Sequence, residues 1–268
     1  MKTSRLSLLY ISGLLWVSCE KEINLDYHET AEKYVVEARM TQDNTIVRLS
    51  TTQPVTDNDS YQYEVAGAVM VLSSDGEVLD TLSYEGRGRY FSKVKGIFPN
   101  TYTLDIEVEG HRFSSQSTMQ RAPRPSGFRF VWKEMVGRRI LFAELKIDDI
   151  PGEVNYYFMH IYRNGIGYRW AVLSDEHGPG QELQQLFHCC SEDDIKDGDS
   201  DALQENTRVT VEIRSIDRRS YDYFYSMQTM SSAGTNPIQN FSGGCLGYFS
   251  AYNVVELNEV FHLDEVEE

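Results

Sequence analysis

Four cysteines carry the most distinctive chemistry in this sequence, and the first of them, Cys19, ends an N-terminal signal. Two basic residues precede a mainly apolar run over residues 6–17, and small or β-branched residues lead up to Cys19. A basic segment, an apolar segment and a cleavage site in this order are typical of secretory signals. Because cysteine stands at the cleavage site, we expect a lipoprotein signal peptide over residues 1–18 and acyl chains on Cys19. An ordinary cleaved signal is the alternative, since Trp16 stands where a lipobox more often has leucine.

The other three cysteines suit a disulfide better than a metal site. Cys189 and Cys190 are neighbours, and consecutive Cα atoms lie ~3.8 Å apart, closer than the ~4.4–6.8 Å of a relaxed disulfide. We therefore predict a bridge from one of them to Cys245, and the sequence leaves open which one. A zinc or haem site that includes His188 is the alternative, but no C-x-x-C spacing accompanies it. We expect no metal site.

Acidic residues outnumber basic ones by 41 to 25, which gives a formal net charge of −16. This charge argues against a nucleic-acid partner, because binding a phosphate backbone needs clustered Lys and Arg. The densest acidic stretch is 192–201, which surrounds Gly198. Calcium takes about six to eight oxygen ligands from such a loop, but the EF-hand order fails, because Ile195 and Gln204 fall on ligand positions. A solvated acidic loop is the favoured interpretation, with calcium binding as the alternative.

Motifs of the common enzyme classes are missing from the sequence. It contains no G-x-S-x-G, no H-E-x-x-H, no Walker loop and no G-x-G-x-x-G between a strand and a helix. We therefore expect a protein that is not an enzyme, with no catalytic residue and no cofactor. Carboxylate pairs such as Asp148-Asp149 leave a hydrolase that uses acidic residues as a weaker alternative.

Aromatic side chains offer a binding chemistry instead. The chain has 17 tyrosines, and its aromatic clusters lie at Tyr61–Tyr63, Phe128–Trp132 and Tyr248–Tyr252. Aromatic rings stack on sugars and fill pockets of protein interfaces. Because side chains alternate along a strand, about half of these rings are expected to face the core. Glycan binding and partner binding both stay open, and the ligand is unknown.

Short alternating runs that are separated by turn residues predict strands in the first half of the chain. The predicted strands are Lys33–Met40, Thr45–Thr51, Val65–Leu72, Glu77–Ser83, Arg89–Val94, Tyr102–Val108 and Arg112–Thr118. Ser73–Gly76 has the composition of a hairpin turn. Seven strands at this spacing favour an immunoglobulin-like or prealbumin-like β-sandwich over residues 33–121, after an N-terminal tether over 19–32.

A linker over residues 122–126 separates this sandwich from a second β-rich domain over 127–263, and the chain closes with an acidic tail over 264–268. Two prolines mark the linker, because proline cannot donate to a strand ladder. The predicted strands are Gly127–Trp132, Arg139–Ile147, Asn155–Tyr162, Tyr168–Leu173, Arg208–Arg214, Leu246–Val255 and Val260–Leu263. Helical turns are predicted at Gln181–Phe187 and at Asp217–Met230, the latter with Asp217 as its N-cap. In the second of these, a core-facing stripe is predicted at helix spacing, consisting of Tyr221, Phe224, Tyr225, Met227 and Gln228. The fold class is mainly β.

Several short motifs resemble an uncharacterised family of Bacteroidetes outer-membrane lipoproteins, domain-of-unknown-function family 4249. These motifs are Val65–Val69, Gly86–Tyr90, Tyr102–Leu104, Ala122-Pro123, Tyr221–Phe224, Asn236-Pro237 and Asn240–Phe249. The sequence departs from the family at Asn240–Ser242 and at Cys245, a position that is usually not cysteine. The resemblance covers nearly the whole chain after the signal, but the family has no assigned activity.

The resemblance implies a place and a partner. Lipoproteins of this kind resemble accessory proteins of TonB-dependent receptors, so the expected role is a lipid-anchored helper in nutrient capture or uptake at the outer membrane. The charged residues Glu20–Glu22 are similar to the tether of surface-exposed lipoproteins, which favours the cell surface over the periplasmic face. A free-standing adhesin or carbohydrate-binding module is the alternative function.

Overall fold

Alternating buried and exposed side chains form β-strands along most of the described chain. The computed structural model describes residues 31–54, 63–176, 180–230 and 236–268, so Cys19 and the predicted signal lie outside the described residues. Within these ranges the protein is mainly β, as predicted. The first eight strands are β1 (Tyr34–Met40), β2 (Thr45–Thr51), β3 (Val69–Ser74), β4 (Glu77–Thr81), β5 (Ser83–Gly86), β6 (Arg89–Ser92), β7 (Thr101–Val108) and β8 (His111–Thr118).

The remaining elements include both helices. They are β9 (Pro125–Met135), β10 (Arg138–Ile147), β11 (Tyr156–Arg163), β12 (Ile166–Ser174), β13 (Leu183–Ser191), α1 (Glu192–Asp197), β14 (Arg208–Ile216), α2 (Arg218–Thr229), β15 (Leu246–Ala251) and β16 (Asn253–Val260). Together, Glu32–Glu268 form one compact unit.

Two β-sandwiches organise these strands. In the first, a sheet of order β15-β1-β2-β6-β5 faces a sheet of order β4-β3-β7-β8, and their inner faces share one hydrophobic core. In the second, β13-β10-β9 faces β12-β11-β14-β16 around a separate core. We refer to the β15-containing sheet as the first sheet and to the β12-containing sheet as the platform sheet.

Most predicted strands appear within a few residues of their expected bounds, and three predictions differ from the structure. The helical turn predicted at Gln181–Phe187 is wrong, because Leu183–Phe187 belongs to β13 and pairs with the buried strand β10. The single strand predicted at Leu246–Val255 is split at Tyr252 into β15 and β16. The final predicted strand, Val260–Leu263, is wrong, because β16 ends at Val260 and Leu263 begins a short 3-10 turn.

The C-terminal part of the chain returns to the first sandwich. β15 pairs in parallel with β1, so Gly247 lies opposite Val36. A Cβ at Gly247 would lie 1.9 Å from the carbonyl oxygen of Val36, and the residue has φ +101°, so the close approach needs glycine. The predicted domain boundary at residues 122–126 stays a prediction. β15 follows this boundary in the chain but completes the first sheet.

Buried side chains accept the backbone donors of β15 that β1 does not use. The Oδ1 atom of Asn240 accepts from the Phe249 N–H at 2.8 Å, and the Ser117 hydroxyl oxygen accepts from the Ala251 N–H at 2.8 Å. Ser117 in turn donates to Asp217 at 2.7 Å. A buried N–H without an acceptor is costly, so these side chains serve as the second neighbour of β15.

Helix α2 begins where this network ends. Asp217 is its N-cap, as predicted, and its Oδ1 atom accepts from the Ser220 N–H at 2.8 Å. Its Oδ2 atom accepts from the Thr118 N–H at 2.7 Å. One carboxylate therefore connects strand β8 to the start of the helix. Of the predicted stripe, Phe224 is buried, whereas Tyr225 and Met227 are exposed.

We predict that Ser117→Ala lowers the free energy of unfolding by ~1–3 kcal/mol, because it leaves the buried N–H of Ala251 without an acceptor. Urea unfolding measures the change. Ser114→Ala on the same strand is the matched control, because Ser242 bonds to the backbone carbonyl of Ser114 and not to its side chain. Equal stability of the two variants would contradict the role given to Ser117.

Candidate functional site

The three disulfide candidates, Cys189, Cys190 and Cys245, are all free, buried thiols. The bridge from Cys189 or Cys190 to Cys245 is not formed, because Cys245 lies in the core of the first sandwich and the other two lie in that of the second. Burial raises the pKa of Cys189 to about 11 and that of Cys245 to about 12. The thiols are therefore protonated at neutral pH and poorly suited to redox or metal chemistry.

A β-bulge explains why two successive cysteines are both buried. Leu141 pairs with Cys190 and Phe142 pairs with His188, which leaves Cys189 as an extra residue in β13. An extra residue shifts the alternation of a strand by one position. Cys189 and Cys190 therefore both pack in the core, while His188 is exposed.

The acidic stretch at 192–201 is partly a helix. Ser191 caps α1 in a capping box with Asp194, and carboxylates in a first helical turn are favoured by the helix dipole. Glu192 pairs with Arg139 at 3.0 Å and with Lys196 at 2.9 Å. In the part of the chain that the structure describes, no group of three or more His, Cys, Asp or Glu residues could hold a metal ion.

Two carboxylates do converge elsewhere, at Asp149 and Asp175. Asp175 is 1% exposed, and both burial and the neighbouring Asp149 carboxylate raise the pKa of Asp175. Asn155 donates its backbone N–H to Asp175 at 2.8 Å and its side-chain amide to Asp175 at 3.0 Å, while Asp149 accepts from the Ile150 N–H at 2.7 Å. The pair fastens a loop to the end of β12, and its buried member is not presented to a substrate.

An aromatic surface lies on the outer face of the platform sheet. Tyr156, Phe158, His160 and Tyr162 alternate along β11 and share this face, and Trp170 of β12 pairs with His160. Gly167 leaves the space that the imidazole occupies, since a Cβ there would lie 2.9 Å from the His160 Nε2 atom. The sheet therefore displays a row of rings.

Helix α2 covers only one half of this row. Tyr221 packs on Tyr156 with 4.9 Å between ring centroids, and Phe224 packs on Phe158 at 4.7 Å. The other half consists of His160, Tyr162 and Trp170, which are partly exposed. We call these three residues the aromatic platform.

Stacked rings and a buried ion pair hold the platform in place. Trp170 stacks on Phe158 at 5.6 Å with an interplanar angle of 17°, and His160 contacts Tyr162 at 4.2 Å. Burial lowers the pKa of the His160 imidazole and nearby Arg214 lowers it further, so the ring is neutral at pH 7. Arg214 itself is ion-paired with Glu212, and both side chains are less than a fifth exposed.

Polar groups flank the platform on its far side. Glu212 and Glu256 are cross-strand partners, as are Thr210 and Asn258, and the Thr210 hydroxyl and the Asn258 Oδ1 atom lie 2.7 Å apart. Rigid rings beside carboxylate and amide oxygens suit a ligand that combines apolar faces with hydroxyl donors. This arrangement can bind such a ligand, but it brings no nucleophile and base together.

The predicted aromatic clusters lie elsewhere. Phe130 and Trp132 are in the core of the second sandwich, Phe249 is in that of the first, and Tyr248 and Tyr252 pack near α2. Residues 61 and 62 are outside the described residues. The sequence clusters miss the platform because its β11 rings alternate with other residues and Trp170 lies on a different strand. Aromatic residues at every second position of 156–162 were the available signal.

Comparison with known proteins gives one result. A family model described as "Domain of unknown function (DUF4249)" matches residues 20–258. No curated protein matches the chain.

We predict that Cys189, Cys190 and Cys245 are all alkylated without a reducing agent once the protein is unfolded in urea, and that all three resist alkylation while it is folded. Their burial and raised pKa values are the physical reason. Peptide mass spectrometry of the two samples measures this. Recovery of a peptide pair linked through Cys245 would contradict the prediction.

We predict that Asp175→Asn weakens the pH dependence of stability in mildly acidic solution. Burial and the neighbouring Asp149 raise the pKa of Asp175, so the folded state holds a proton that the unfolded chain releases near its ordinary pKa. The wild-type protein therefore loses stability as pH rises from that ordinary value through the raised one, by about 1.4 kcal/mol per unit of pKa difference. The amide mimics the protonated acid and does not titrate.

Urea unfolding at a series of pH values between 4 and 8 tests this expectation. Asp148→Asn is the matched control, because Asp148 is an exposed carboxylate next to Asp149 in the chain. Identical pH profiles for the wild-type protein and Asp175→Asn would contradict the prediction.

Proposed function

The chain belongs to the DUF4249 family, and we propose that it is a lipid-anchored, non-enzymatic outer-membrane protein that assists a TonB-dependent receptor in capturing or taking up a nutrient. The observation that carries the binding role is the aromatic platform. Its three rings are partly exposed and are held by contacts with neighbouring rings of the sheet, as expected of a surface that is preformed for a ligand or partner.

Support for the anchor comes from the sequence. Cys19 follows a segment with the order of a lipoprotein signal, and several acyl chains on one residue would hold the chain stably on a membrane. Among the described residues, no helix is long and apolar enough to cross a bilayer. The cell surface is the proposed location, and the periplasmic face of the outer membrane is the alternative.

Support for a binding role over catalysis comes from the chemistry of the site. The imidazole of His160 contacts rings rather than a nucleophile, and the convergent carboxylates Asp149 and Asp175 fasten a loop. A preformed ring surface without a reacting group binds and releases its ligand unchanged. On an accessory protein, such a surface can dock the protein on its receptor.

We predict that the tagged full-length protein, extracted from its native outer membrane in mild detergent, brings down a TonB-dependent receptor in near-equal amount. Quantitative mass spectrometry of the eluate measures the ratio. The double variant Tyr162→Ala/Trp170→Ala should lower receptor recovery at least tenfold, because two ring contacts at an interface are each worth ~1 kcal/mol or more. Tyr84→Ala is the control, since Tyr84 is 47% exposed on the first sandwich.

Purification of the lipoprotein alone would overturn the receptor role. The second candidate function is a free-standing carbohydrate-binding module, which the polar oxygens beside the platform favour. Binding of the purified protein to a neutral glycan array that is lost in Tyr162→Ala/Trp170→Ala, together with no receptor in the pull-down, would establish that function instead.

A further inference from the structure

Three arginines gather on the outer face of the first sheet, although the protein carries a net charge of −16. One cross-strand row runs Tyr248, Glu37, Arg48, Arg89 over β15, β1, β2 and β6. In the next row, Arg39 lies opposite Ile46. Neighbouring strands are ~4.8 Å apart, so the three guanidinium groups belong to one patch.

One contact in this arrangement is unfavourable for folding. Arg48 and Arg89 are direct cross-strand partners, and like charges opposite each other destabilise a sheet. Arg89 is paired with Glu85 at 2.7 Å. Arg39 and Arg48 form no salt bridge with any residue that the structure describes. Two exposed guanidinium groups therefore have their donors available.

The patch lines an open groove of about 540 Å³. Its walls are Glu37, Arg39, Arg48, Arg89 and Tyr248, and Ile46 contributes an apolar floor that is 9% exposed. A smaller depression shares Glu37 and Arg48 and continues past them toward the hairpin turn between β5 and β6. The groove is thus elongated and suits a linear ligand.

The chemistry of the groove identifies the class of that ligand. A guanidinium group matches a carboxylate with two parallel hydrogen bonds. Glu37 can accept from a hydroxyl, and the ring of Tyr248 with the side chain of Ile46 can contact the apolar face of a sugar. We infer that this groove binds an acidic oligosaccharide, whose carboxylates pair with Arg39 and Arg48. This site is separate from the aromatic platform and does not depend on the receptor.

Isothermal titration calorimetry of the full-length protein in detergent with tetragalacturonate tests the inference. Arg39→Gln/Arg48→Gln should weaken binding at least tenfold, and raised salt should weaken binding to the wild-type protein. Arg208→Gln is the matched control, since Arg208 is exposed at the start of β14 and its loss changes the charge in the same direction. Tyr162→Ala/Trp170→Ala should bind tetragalacturonate as the wild-type protein does.

The fold of the double variant is checked by its Tm, which should stay close to that of the wild-type protein because Arg39 and Arg48 are exposed. Absence of tetragalacturonate binding, or equal binding by the double variant, would overturn the inference. Equal affinity for the neutral galactotetraose would remove the role of the arginines. Equal affinity for tetraglutamate, with the same dependence on Arg39 and Arg48, would replace the sugar with an acidic peptide.

Discussion

The structure depends on how strand β15 is held on both sides. On one side it pairs in parallel with β1, which is possible because Gly247 has no side chain to strike Val36. On the other side, Asn240 and Ser117 accept its buried N–H groups. A strand that was paired on one side only would leave an open edge inside the molecule. The side-chain acceptors close that edge without another strand.

The position of β15 also fixes where strand β16 begins. The chain turns at Tyr252 after β15 and continues at once as β16 of the platform sheet. Arg214 lies between the rings of Phe158 and Tyr252, 4.7 and 4.9 Å from their centroids, and its ion pair with Glu212 offsets the cost of burying the charge. The same segment thus completes one sandwich and begins the last strand of the other.

The sequence predicted the features that depend on local pattern and missed those that depend on distant pairing. Strand alternation, the Asp217 cap and the turn at Ser73–Gly76 are local, and the structure has them. Leu183–Phe187 has no strong strand pattern and became a strand because β10 offers a buried edge to pair with. The burial of both Cys189 and Cys190 depends on a β-bulge that no feature of the sequence predicts.

The candidate sites show the same division. Rings at every second residue of β11 are visible in the sequence, but only the placement of α2 decides which of them stay uncovered. The arginines of the groove are scattered over residues 39–89, and only the strand order of the first sheet brings them into one patch. Tyr248 borders this groove and also contacts Tyr223 and Phe224 of α2 at 5.4 and 4.8 Å. Phe224 packs on Phe158, and Phe158 stacks on Trp170, so a continuous series of ring contacts connects the groove to the platform. Both surfaces therefore depend on the packing of β15 against α2.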